Sequence, residues 1–367
     1  MKHTFYSLLA ASMLLSMTAC NDWETAEAES FDNSMTEIVK SEEYYANLRA
    51  YKKSDHSLAF GWYSEWEDGS ANTSNTLCAV PDSMDMISLW NNSRNLSPIK
   101  KADLEYVQKV KGTRVLVCTF CQYIGKGVTP PEADNDDASR YAYWGWNPNA
   151  SNEEENRPAM QRYAKAFADT INFYGYDGLD IDFEPYVDGV AGPLDENPVY
   201  AKMLFEEFGK FFGPQSGSGL VFCVDGEIEW IPDGTEVYFD YFIQQAYGAR
   251  FSSYLKNRFE GSYQSIGYNA EGKCVMSKEE FARKYIITEN LESAIDCLNG
   301  GYQWENFPKE VKPSLVGYAD LDLGEGLKKG GFGAYRFSNE RSNTPKYKWM
   351  RKAIQEQNPS PGYQTID

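Results

Sequence analysis

Past its first twenty residues the sequence has no apolar run of the roughly 20 residues that a membrane-spanning helix takes. Positive charge is also short, with 35 Lys and Arg against 54 Asp and Glu, a net charge of −19. Binding to a phosphate backbone needs a basic face, so nucleic acid is excluded as a partner. There is no GxGxxG and no P-loop, so no glycine-rich phosphate cradle, and no internal repeat. Cysteine is sparse. Apart from Cys20 there are Cys78, Cys118, Cys121, Cys223, Cys274 and Cys297, an even number that permits disulfides in a secreted chain. Cys118 and Cys223 lie inside apolar runs and read as small buried hydrophobes. Cys118 and Cys121 have a metal-like spacing, but no second pair stands nearby, and no metal site is expected.

What is present begins with an address. Lys2 and His3 precede a largely apolar run, Phe5 to Met17, and small residues lead into a cysteine, Thr18-Ala19-Cys20. This is the layout of a secretory signal. Its end resembles a bacterial lipobox, with Met17 where Leu is more usual. The expected organisation is a lipoprotein signal peptide over 1–19, a flexible acidic tether over 20–45 with Cys20 lipidated, and one catalytic body over 46–367. The segment after Cys20 is rich in Glu, Ser, Ala and Asp and buries little apolar surface. Its acidic opening resembles the export signal of surface lipoproteins. The expected location is the cell envelope, at the outer membrane and surface exposed, with the lipid anchor as the contact with the membrane.

In the body, strand-like and helix-like segments alternate, as in a parallel α/β sheet. Eight segments read as strands: Ser57–Tyr63, Met84–Trp90, Arg114–Gln122, Gly178–Glu184, Leu220–Asp225, a stretch within Tyr238–Tyr247, Tyr285–Thr288 and Gly331–Phe337. Helices are expected at Ala102–Lys111, Arg157–Tyr174, Tyr200–Phe212, about Leu291–Leu298 and Lys346–Glu356. A long polar and aromatic loop spans about Gly125–Asn156. Eight strands with helices between them, over about 300 residues, predict a single-domain (β/α)₈ TIM barrel. A doubly wound open sheet is the second choice. Aromatic residues make up 15% of the chain, with nine Trp and 26 Tyr, more than one core needs. Flat rings of this kind suit the apolar face of a sugar.

The segment Asp177-Gly178-Leu179-Asp180-Ile181-Asp182-Phe183-Glu184 carries the chemistry. On a strand, residues two apart share a face. Asp180, Asp182 and Glu184 therefore point one way, and Leu179, Ile181 and Phe183 the other. In a barrel the acids line the interior and rise to Glu184 at the C-terminal mouth, where barrel active sites lie. Close like charges cannot all stay ionised, so such an array shifts its own pKa values. The plainer readings are an exposed acidic edge strand, which the apolar alternate face argues against, and a calcium loop, which wants oxygen ligands at mixed spacings.

This octet is similar to the DGxDxDxE signature of glycoside hydrolase family 18, the chitinases and endo-β-N-acetylglucosaminidases, and it matches at every fixed position. The resemblance implies a retaining, substrate-assisted reaction, the family being an exception to the two-carboxylate scheme. Glu184 would protonate the leaving glycosidic oxygen. Asp182 would orient the substrate's 2-acetamido group, and Asp180 would share a proton with Asp182. Tyr247 matches a tyrosine that hydrogen-bonds the acetamido oxygen, and Gln245 shares its face. Chitinases carry Met-x-Tyr-Asp here, whereas this chain has Gln245-Ala246-Tyr247-Gly248. The last strand resembles the bacterial endoglycosidases of the F and H type, with Tyr335 where chitinases carry a Trp. The resemblance therefore implies an endo-β-N-acetylglucosaminidase acting on the chitobiose core of N-glycans or on other GlcNAc-containing oligosaccharides, with no cofactor. A chitinase and a non-catalytic glycan-binding barrel are the alternatives. For Tyr247 and Tyr335, core packing is the plainer reading. Trp144 and Trp146, with Tyr141 and Tyr143, are candidate sugar-stacking rings on the loop after strand three, and Asp225 a candidate hydroxyl contact.

Overall fold

The computed structural model describes residues 40–68, 75–91, 93–304 and 312–360. Residues 46–367 form one compact unit. The expected signal peptide, Cys20 and most of the tether lie outside the described residues. The chain is already helical from Glu42, inside the stretch expected to be tether.

The body is a closed barrel of eight parallel strands. They are β1 Leu58–Tyr63, β2 Met86–Leu89, β3 Arg114–Phe120, β4 Gly178–Phe183, β5 Val221–Gly226, β6 Tyr241–Gln245, β7 Tyr285–Asn290 and β8 Gly331–Tyr335. Each pairs with its sequence neighbour, and β8 closes onto β1 through Leu58↔Gly331 to Gly61↔Ala334. The described helices are α1 Glu42–Lys52, α2 Pro98–Tyr106, α3 Asp137–Trp144, α4 Arg157–Tyr174, α5 Pro198–Phe208, α6 Ser252–Ile266, α7 Lys278–Lys284, α8 Ala294–Asn299, α9 Ser314–Ala319 and α10 Lys348–Gln357. Among the described residues no α-helix follows β1 or β5. Short 3₁₀ turns stand there instead, Leu77–Ala79 after β1 and Ile228–Trp230 with Glu236–Tyr238 after β5.

The helices follow from local signals. Ser97 accepts from Lys100 N and precedes Pro98, whose fixed φ suits a first turn. Asn197 caps α5 in the same way ahead of Pro198. In α4, Met160, Tyr163, Ala164, Phe167, Ala168 and Ile171 recur at helical spacing, and all are buried against the barrel.

Strand alternation builds two cores. Leu179, Ile181 and Phe183 join the layer between strands and helices. Leu58, Phe60, Trp62, Met86, Leu116, Cys118, Val221, Cys223, Ile243 and Ile286 fill the barrel interior. At the N-terminal end of the barrel, the Arg114 guanidinium lies 5.6 Å from the Tyr241 ring centre. All six described cysteines are free, so the disulfides that their number permits do not form. Cys118 and Cys223 are buried in the interior, as their apolar neighbours imply.

Candidate active site

β4 places its acids through its two neighbours. Asp180 is in register with Cys118 and Cys223, and Asp182 with Phe120 and Asp225. Asp177 has a structural role, its Oδ2 accepting from Val115 N at 2.7 Å and from Gln108 Nε2 at 2.8 Å. At Gly178 the strands approach too closely for a side chain, since a Cβ would stand 2.2 Å from Val221 O. The first two residues of the octet thus fix the strand that carries the three acids.

Asp180 sits deepest. Its Oδ2 accepts from Ser88 Oγ at 2.7 Å and from Trp62 Nε1 at 3.0 Å. Burial pushes its pKa up to about 6, and those donors hold back a larger rise. Asp182 and Asp225 are fully buried side by side. Burial, and then the neighbouring carboxylates, raise both well above the usual carboxylate range. Gln245 Nε2 bridges them, 2.9 Å from Asp225 Oδ1 and 3.3 Å from Asp182 Oδ1. Asp180 Oδ1 and Asp182 Oδ2 are buried with no donor from elsewhere in the protein. Leaving such oxygens unmet is costly, which favours keeping protons within the aspartate cluster.

Glu184 follows at the mouth, only partly buried. Its pKa is raised first by burial and also by Glu227 and Asp195, while hydrogen bonds from Gln245 and Asp182 restrain the rise. Tyr247 is raised well above an ordinary phenol by burial and the nearby carboxylates, so it stays protonated and can donate. Its ring stacks on Tyr335 with centres 6.2 Å apart.

These groups line a cleft of about 260 Å³ bounded by Trp62, Trp90, Phe120, Asp182, Glu184, Gln245, Tyr247, Asn290, Glu292 and Tyr335. Tyr335 lines it, meeting Trp90 at 5.6 Å and Trp62 at 6.3 Å edge to face. A larger cavity of about 780 Å³ lies at the opposite end, lined by Leu58, Arg114, Tyr241 and several lysines and arginines. Size does not decide between them. Only the smaller one brings a proton-holding acid, a donor phenol and flat rings together.

Glu184, Asp182, Gln245, Tyr247 and Tyr335 converge on this cleft. Asp180 stands beneath it, and Asp225 is fully buried and faces Asp180, Asp182 and Gln245, so the hydroxyl contact expected of it has no open path. Trp144 and Trp146 are elsewhere. Both are buried, Trp144 donating to Thr129 Oγ1 at 2.9 Å and Trp146 packing 4.7 Å from Tyr200. Their ring faces are spent on anchoring α3 and its flanks, which corrects the expectation that they stack on sugars. Tyr141 is partly buried against the same core, while Tyr143 is exposed. The sequence reading missed Trp62, Ser88, Trp90, Phe120 and Asn290. All but Ser88 share a signal of position, since Trp62, Phe120 and Asn290 are the last inward residues of their strands and Trp90 follows β2 directly.

Cys118, Asp180 and Asp225 bring possible ligand atoms within 4.8 Å of one another. They suit a cation poorly. The Cys118 thiol is held protonated by burial and the adjacent acids, and Asp180 Oδ2 is already taken by two donors.

The chain is similar to several known proteins. Endo-beta-N-acetylglucosaminidase F2 of Elizabethkingia meningoseptica is 27% identical over 188 residues, 49% of this chain and 47% of that protein. The match thus spans about half of the relative's length. The solved structure of a BT1044 variant is 28% identical, with a TM-score of 0.72 over 87% of this chain and 93% of the other. The endo-beta-N-acetylglucosaminidase of Cordyceps militaris shares the fold at 20% identity, with a TM-score of 0.60 over 87% and 97% of the two chains. Chitinases share the fold more distantly. The profile described as glycoside hydrolase family 18, BT1044-like, matches residues 25–356, and the chain belongs to that family.

Proposed function

We propose that this protein is an endo-β-N-acetylglucosaminidase that cleaves between the two GlcNAc residues at the base of N-linked glycans. The observation that carries the reading is the placing of Glu184, Asp182 and Tyr247 around one sugar-sized cleft, with Glu184 held toward its protonated form.

The reaction follows from these positions. The GlcNAc to be released from its partner lies over Tyr335, its acetamido group toward Asp182 and Tyr247. The acetamido carbonyl oxygen attacks the anomeric carbon, and the bond from that carbon to the glycosidic oxygen breaks. The departing oxygen takes the Glu184 proton. Asp182 accepts from the acetamido N–H as positive charge grows on the resulting oxazolinium ion, and the Tyr247 hydroxyl orients the acetamido oxygen. Water then attacks the anomeric carbon from the face that the leaving oxygen vacated, opposite the acetamide, and the bond from that carbon to the acetamido oxygen breaks. It gives its proton to the Glu184 carboxylate, the oxazolinium ring opens, and configuration is retained. Asp180 and Asp225 hold the remaining protons beneath Asp182. A raised acid pKa keeps Glu184 protonated closer to neutral pH, where a general acid must work.

The endoglycosidase substrate is supported by Gln245-Ala246-Tyr247-Gly248, which lacks the aspartate of the chitinase motif, and by the likeness to endo-beta-N-acetylglucosaminidase F2. The test is product analysis by mass spectrometry. Incubation of residues 36–367 with an N-glycopeptide should release glycans ending in a single GlcNAc and leave one GlcNAc on the peptide. Cleavage of chitooligosaccharides alone would move the protein to the chitinases. Glycan binding without cleavage would make it a binding barrel.

We further propose that the chain is an envelope lipoprotein anchored through Cys20. Labelling with a clickable fatty acid should mark the full chain and not Cys20→Ala, and equal labelling of both would contradict the anchor.

A further inference from the structure

Seven of the eight strands send a side chain into the walls of the cleft, either from the strand or from the residues that follow it; β5 alone sends none. That sector of the rim, over β4 and β5, is occupied by two rings standing in solvent. Tyr186 is 64% exposed and Trp230 53%, and both follow their strands within four residues. Their centres are 4.8 Å apart with planes at 74°, an edge-to-face pair that forms an open apolar corner. Large exposed rings grouped on one rim mark a binding surface more often than isolated ones do.

The corner is built by backbone ties. Glu227 N donates to Phe183 O at 2.9 Å, Tyr186 N to Glu227 Oε2 at 3.1 Å, and Trp230 N to Glu227 O at 3.1 Å. Ile228 is buried beneath the turn. One residue, Glu227, thus holds both rings, and neither ring needs burial to keep its place. The corner adjoins the acid, since Tyr186 is two residues past Glu184 and a Cβ on Gly226 would come within 3.0 Å of Glu184 Cγ.

We propose that Tyr186 and Trp230 are a stacking subsite for the leaving-group sugar, the GlcNAc that stays on the polypeptide. This rests on the endoglycosidase reading above. A general acid must reach the oxygen between the two sugars. With the attacked sugar enclosed by the other seven strand ends, the departing half lies past Glu184, over β4 and β5, where the rings stand. A ring face offers a sugar's C–H face a flat apolar surface at low entropic cost.

The test compares two substrates of the same glycan. One is the N-glycopeptide. The other is the glycan oxazoline, which has no leaving-group sugar and needs only water addition. Tyr186→Ala and Trp230→Ala should each lower kcat/KM on the glycopeptide about tenfold, the loss expected of one interface anchor, with oxazoline hydrolysis within about twofold of wild type. Trp230→Phe should restore most of the glycopeptide activity. Equal falls on both substrates would overturn the proposal, because the rings would then merely support the site. So would unchanged glycopeptide kinetics. If the unsubstituted enzyme cleaves neither substrate, the endoglycosidase reading itself fails, and this proposal fails with it.

Discussion

Asp182 and Asp225 face each other as register partners on adjacent strands, both fully buried, with the Gln245 amide spanning them. Two carboxylates so placed cannot both be ionised. Asp225 is fully buried, and burial with the neighbouring carboxylates favours its protonated form.

That assignment predicts the behaviour of Asp225→Asn. An amide replaces a neutral carboxylic acid with another donor of the same shape, so kcat/KM at neutral pH should change less than about threefold. Stability is the sharper readout. The folded pKa of Asp225 is raised above its unfolded value, so its contribution is fully present below the unfolded pKa and is lost as pH rises through the folded pKa. Asp225→Asn should therefore be more stable than wild type at neutral pH. Its melting temperature should also fall less steeply as pH rises above the ordinary carboxylate range. Thermal melts across that rise decide it, and destabilisation at neutral pH would show that Asp225 is ionised.

Tyr247→Phe removes one hydroxyl and leaves the ring on Tyr335. In the proposed reaction the phenol acts on the acetamido oxygen as charge develops, so kcat should fall about 10²–10³-fold, the loss typical of one preorganised donor. KM should move little. Steady-state kinetics on a glycopeptide check this, and a rise in KM with kcat intact would make Tyr247 a ground-state binding residue.

Trp144→Ala should act on folding alone. The ring is buried, bonded to Thr129 and packed 5.7 Å from Tyr163. Its removal should cost about 3–5 kcal/mol in chemical denaturation. Activity per folded molecule should be unchanged. A raised KM with full stability would return Trp144 to the sugar site.

The barrel was legible because each β-strand carries its period openly. Leu179, Ile181 and Phe183 alternate with the acids, and β3 reads as a continuous apolar run. α4 spans Arg157–Tyr174 as expected, since its apolar residues keep strict helical spacing. α6 and α7 were not foreseen. In α6 the buried residues Leu255, Phe259, Ser262, Tyr263 and Ile266 are diluted by polar ones and include a serine. The acidic face of β4 was legible because three carboxylates on one face of a core strand have no cheap structural explanation. The walls of the cleft were not. Trp62 and Phe120 look like core residues, and only barrel closure reveals that they stand at the mouth. Trp144 misled for the converse reason, because an aromatic in a polar loop can be the loop's anchor and Thr129 is its partner.

The most direct measurement of the central claim is glycan release from an N-glycopeptide by the wild-type body and by Glu184→Gln, with circular dichroism and glycan binding followed in parallel. Wild type should release glycans ending in one GlcNAc, with an alkaline limb above the usual glutamate pKa because the acid is raised. Glu184→Gln should keep its fold and its binding and lose about 10²–10⁴-fold in kcat. A folded, binding-competent Glu184→Gln that cleaves as fast as wild type would contradict the account.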